Sequence, residues 1–64
     1  MSDPTDVELY ALRMYLKHGS TRAAAVALGL SEQTVKNHLA SIRSKLGVRK
    51  TIQAAYLLHE RLAA

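Results

Sequence analysis

Apolar residues recur at helical spacing through the middle of the chain. Val35, Leu39, Ile42 and Leu46 fall at i, i+4, i+7 and i+11, one stripe along an α-helix. Opposite that stripe stand Gln33, Asn37, Ala40, Ser41 and Ser44. Lys36 and Arg43 follow one flank, His38 and Lys45 the other. Ser31 supplies an N-cap and Gly47 a stop, so the pattern predicts a helix over about 32–46. Just upstream, Ala23, Ala24, Ala25, Val26 and Leu28 form a short Ala-rich helix opened by Ser20 or Thr21. Gly29 then turns the chain, and Leu30 is expected to plug the core beneath the turn.

Two further helices flank this pair. Thr5 and Glu8 make a T-x-x-E capping box that starts a helix at about 6–18, ended by Gly19. Its inward face is expected to hold Leu9, Leu12, Tyr15 and Leu16, with Ala11 at the margin. Val7, Tyr10 and Met14 lie on the other side, either a partner surface or scattered exposed apolar residues with no role. Near the carboxyl end, a helix capped at Thr51 or just before it runs towards Leu62 and is apolar on two sides. Ala54, Leu57 and Leu58 make the docking face. Ile52, Ala55, Tyr56, His59 and Leu62 make a second face, for which self-association is the simplest use, the alternative being a helix nestled deeply in the core. Met1 to Pro4 reads as a flexible leader, and residues 5–64 as a single all-α helix-turn-helix domain of four helices.

At 64 residues the chain holds one domain at most. It has no cysteine, which removes disulfides and thiolate metal sites and suits a reducing cytoplasm. His18, His38 and His59 lie about twenty residues apart with no carboxylate cluster, a spacing that assembles no zinc site. No apolar run approaches the roughly 20 residues of a membrane span. No Ser-His-Asp or Cys-His set, paired carboxylates or phosphate-cradling glycine loop is visible, so the expectation is a non-enzymatic chain without cofactor.

Charge adds a direction. Nine Lys and Arg against five Asp and Glu give +4 at pH 7 and a pI near 9.9. Lys36, Arg43, Lys45, Arg49 and Lys50 cluster in and just after the central helix, whereas Asp3, Asp6 and Glu8 sit near the amino end. A helix with small polar tips between basic rails suits the major groove of double-stranded DNA.

The run Leu30-Ser31-Glu32-Gln33-Thr34-Val35-Lys36-Asn37-His38-Leu39, then Ile42, then Lys45-Leu46-Gly47-Val48, resembles the DNA-binding domain of the LuxR/GerE-type bacterial regulators. Thr5 and Glu8 match that family's T-x-x-E opening, and Ala54 the small residue early in its fourth helix. The resemblance implies a four-helix domain that regulates transcription, commonly as a homodimer joined through the last helix, with the third helix in the major groove. Carried over by position, it places Lys36, Asn37 and Ala40 nearest the bases, and Thr34 and Lys45 near the backbone. The chain departs from the family at Pro4, where a leucine is usual, at Ala23 and Ala24, and at Val7, Tyr10 and Met14, which replace largely charged positions. The family joins this domain to a receiver or sensor domain, so the chain is either a stand-alone small regulator or an excised output domain.

Base contacts are thus expected from Lys36, Asn37, Ala40 and Gln33, with Gln33 reaching either a base edge or a phosphate. Phosphate contacts are expected from Thr34, Arg43, Lys45, Arg49 and Lys50. His38, at the edge of the apolar stripe, is assigned a half-buried hydrogen-bonding role. The expected setting is the bacterial nucleoid or a phage-infected cell. The rival is a protein-interaction module, similar to the promoter-binding region of sigma factors, that docks on RNA polymerase or a small antagonist protein through Val7, Tyr10 and Met14.

Overall fold

A computed structural model describes residues 3–63, and the described residues are helical with no strand. The helices are α1 (Asp6–His18), α2 (Thr21–Leu28), α3 (Glu32–Leu46), α4 (Thr51–Leu57) and α5 (His59–Ala63). Local chemistry explains most of their ends. Thr5 and Glu8 close their capping box at 3.1 and 2.9 Å. Ser20 and Ser31 each cap the following helix by accepting a backbone N–H at 3.1 Å. Lys50 occupies the cap position of α4 but carries no acceptor. Gln53 reaches back instead, its Oε1 accepting from the amides of Arg49 and Lys50 at 3.1 and 2.9 Å.

The carboxyl ends of α2 and α3 share one motif. Leu30 N–H donates to Ala25 O and Gly29 N–H to Val26 O; Val48 N–H donates to Arg43 O and Gly47 N–H to Ser44 O. These are Schellman closures, and each needs a left-handed residue, met by Gly29 at φ 70° and Gly47 at φ 69°. A Cβ at Gly29 would meet nothing within 4 Å, so the cost of adding one is purely conformational. Gly29→Ala is therefore expected to lower unfolding free energy by about 1–2 kcal/mol without displacing a neighbour, measurable by urea denaturation.

Helices α1, α2 and α3 pack mutually, and α4 leans on α3. Ala11, Leu12, Ala24, Val35, Ile42 and Ala54 are fully buried, and Leu39 nearly so. Fully buried alanines at 11, 24 and 54 leave room for the helices to approach closely. The stripe of α3 is thus the inner wall of the core, as its periodicity predicts.

Several expectations are corrected. Met14 is buried in the core, so it shares no outer stripe with Val7 and Tyr10, which are exposed. Leu16, placed inward by spacing, is exposed, and so is Leu30 beneath the turn. Crossing by α2 and α3 gives α1 a core face that takes in Ala11, Leu12 and Met14 and excludes Leu16. The last helix does not run unbroken to Leu62: it turns at Leu58, which has φ −107° and ψ 10°. Its docking face is Ala54, Ala55 and Leu58, leaving Leu57 outside. Pro4 is buried, so it is no part of a loose leader; Met1 and Ser2 lie outside the described residues.

Candidate nucleic-acid interface

Burying Val35, Leu39 and Ile42 forces the other side of α3 outward. Gln33, Lys36, Asn37 and Ala40 are all exposed there. Gln33 Nε2 donates to Asn37 Oδ1 at 3.0 Å, one turn apart. That bond holds the Asn37 amide while leaving its NH2 and one oxygen lone pair for another group. Lys36 faces Glu32 at 3.9 Å, a solvated pair on the helix surface that is worth little and breaks readily when a stronger anion arrives. Thr34 is half-buried, its hydroxyl 2.7 Å from that of Ser31, in the first turn.

Two expected phosphate contacts have intramolecular partners. Arg43 Nη1 donates to Thr51 Oγ1 at 2.8 Å, tying α3 to the first turn of α4. Lys45 turns towards α1, with Nζ 2.7 Å from Glu8 Oε1 and only 26% of its side chain accessible, against 7% for Glu8. Burial alone would raise the Glu8 pKa. Hydrogen bonds from Lys45, Ser41 and the Thr5 amide, with the lysine charge, outweigh that and hold it down at about 2. Glu8 therefore closes the cap of α1 and also anchors α3. A pair 37 residues apart has no local signature. Arg49 and Lys50, beside this face, remain exposed.

Beside the reading face runs a shallow groove of about 430 Å³. Gln33, Lys36, Asn37, Ala40 and Arg43 line it from α3, but so do Tyr15 of α1, Thr21 of α2 and Thr51 of α4. Those last three were not among the expected site residues. Tyr15 reads as core from its spacing on α1; it packs against the core cluster but is only half-buried, and so also reaches the wall of this groove.

Residues 5–58 match the family model described as bacterial regulatory proteins, luxR family. The chain belongs to the luxR family. Neither a curated protein nor a solved structure matches it. The luxR-family domain is a DNA-binding, helix-turn-helix unit of transcription regulators, not an enzyme fold. Among the described residues, no helix is long and apolar enough to cross a membrane.

The carboxyl-terminal surface of this luxR-family domain is a second exposed feature. Ile52 is 66% accessible, Tyr56 77% and Leu57 56%, on a helix of seven residues. His59 is exposed and Leu62 half-buried beside them, whereas Ala55 lies mostly in the core at the floor of a groove shared with Leu16. His59 Nδ1 lies 3.0 Å from Tyr56 O, and the two rings are 6.3 Å apart.

Proposed function

We propose that the chain is a sequence-specific transcriptional regulator that binds DNA as a homodimer. Two copies pair through α4 and place their α3 helices in successive major grooves of an inverted repeat, with half-sites about one helical turn, roughly 34 Å, apart. The observation carrying this reading is the division of α3 into a fully buried apolar stripe and an exposed row of Gln33, Lys36, Asn37 and Ala40. Lys36 donates to guanine O6 or N7. Asn37, steadied by Gln33, pairs with adenine through N6 and N7. Ala40 offers only a methyl, which suits contact with a thymine methyl group.

Arg49, Lys50, Arg43 and Thr34 supply phosphate contacts in this reading, which set register and affinity rather than sequence preference. Lys45 contributes chiefly by holding α3 in place through Glu8.

Titrating the domain into duplex DNA at several salt concentrations tests the reading. Affinity should fall steeply with salt, with a slope of about −0.9 per neutralised phosphate, and a flat profile would sink it. Asn37→Ala should cost about 1–3 kcal/mol on a preferred site and much less on unrelated sequence, with the fold unchanged because the side chain is exposed. An equal loss on every sequence would remove Asn37 from the base readers.

Exposure of Val7 and Tyr10 supports a second reading, docking on RNA polymerase or an antagonist protein through α1. Substituting both by Ser would then abolish regulation while leaving DNA affinity intact.

A further inference from the structure

We infer that Tyr15, together with the Arg43–Thr51 pair, forms a phosphate-binding site that clamps the DNA backbone beside the reading face. The inference rests on the DNA-binding reading and extends it to a residue of α1. Two cations, Lys36 and Arg43, line the groove that Tyr15 enters, and no carboxylate does. Such a wall attracts an anion.

Thr21 is already spent, its hydroxyl donating to Glu32 Oε1 at 3.2 Å. Thr51 is in the opposite condition: its oxygen accepts from Arg43, so its own proton is left to donate. The same bond holds the Arg43 guanidinium beside Thr51, with its other N–H groups available. The Tyr15 ring packs against the core cluster, and its phenol bonds no other group among the described residues. A tyrosine with an anchored ring and a free hydroxyl presents a rigid donor at little entropic cost. Tyr15 of α1, Thr51 of α4 and Arg43 of α3 thus line one groove, with Arg43 and Thr51 joined at 2.8 Å.

A phosphate between them would fix the angle at which α3 enters the major groove, because three helices grip it at once. Contacts of this class position without reading sequence.

Tyr15→Phe is the direct test, since it keeps the ring and removes only the donor. On a duplex recovered by selection from random DNA, the variant should bind about 3–10-fold more weakly than the parent. The same loss should appear on unrelated duplexes, with the thermal midpoint and the salt slope unchanged, because no charge is removed. Arg43→Gln should instead make the slope shallower by about 0.9. Replacing single phosphates by neutral methylphosphonates should reveal one position per half-site at which Tyr15→Phe no longer costs anything, the signature of a shared contact.

Equal affinity of Tyr15→Phe and parent on every duplex, with the parent still strongly salt-dependent, would overturn the inference and leave DNA binding standing. A penalty that persists at every methylphosphonate position would also overturn it, by assigning Tyr15 to packing alone. Were the parent itself to show no salt-dependent binding, the DNA-binding reading would fail and this site with it.

Discussion

Lys45→Ala should unfold the domain or bring it close to unfolding, rather than merely weaken DNA binding. Truncating one partner of a partly buried ion pair leaves the other charge poorly solvated, at a cost that approaches the roughly 3–5 kcal/mol of a fully buried pair. Glu8 is that charge, with 7% of its side chain accessible. A domain of 64 residues has only about 3–10 kcal/mol of stability in total at usual values per residue. Glu8→Gln should be milder, because it removes the charge that is hard to solvate and leaves a lysine whose side chain is 26% accessible. A double variant, Glu8→Gln with Lys45→Met, should recover much of the stability lost in Lys45→Ala.

The same pair sets an acid limit. Glu8 has its pKa lowered from 4.5 to about 2, so in that interval the unfolded chain binds the proton more tightly than the folded one. Its stabilising contribution is present above pH 4.5 and is lost as pH falls towards 2. Thermal midpoints measured from pH 7 down to 2 should drop across that window in the parent and far less in Glu8→Gln. A Lys45→Ala protein with the parent's thermal midpoint, but a salt slope shallower by about 0.9, would reassign Lys45 to a phosphate.

That pair also marks where sequence stops being legible. The caps at Thr5, Ser31 and Gly29 are short-range chemistry, written within three or four residues, and they stand where the spacing puts them. The inner stripe of α3 is equally plain, because α3 is polar elsewhere except at Ala40. Helix α1 offers no such contrast. Leu9, Leu12, Met14, Tyr15 and Leu16 surround most of its circumference, so periodicity cannot choose between Met14 and Leu16; the crossing angles of α2 and α3 choose. Glu8 with Lys45, Arg43 with Thr51, and the approach of Tyr15 to α3 all depend on those crossings. The turn at Leu58 has no local marker, since neither glycine nor proline occurs between 51 and 62. The exposed candidate row of α3 is therefore legible in the sequence, while the groups that its neighbours bring beside it emerge only from the packing.

The largest effect on DNA binding is expected from α4, which touches no base in this reading. Tyr56→Asp places a carboxylate in the patch formed with Ile52 and Leu57, and in the proposed two-fold pairing through α4 it would come close to its own copy. Two like charges at close range in an apolar interface repel and must also be desolvated. The variant should sediment as a monomer at concentrations where the parent is a dimer. Its own fold should hold, because Tyr56 is 77% accessible and its one ring neighbour, His59, is 6.3 Å away. Loss of pairing converts two linked binding events into independent ones, so affinity for an inverted repeat should fall by about 10²-fold or more. Affinity for an isolated half-site should stay as it was, since α3 is untouched. The pair of measurements separates dimerisation from reading: a loss on half-sites as well would mean that the substitution had disturbed the domain. A parent that sediments as a monomer and binds the repeat one copy at a time would remove α4 from the mechanism. In this reading Ala40 would make pairing matter more, because a methyl at that position discriminates weakly among bases and would leave specificity to be gathered from two half-sites read together.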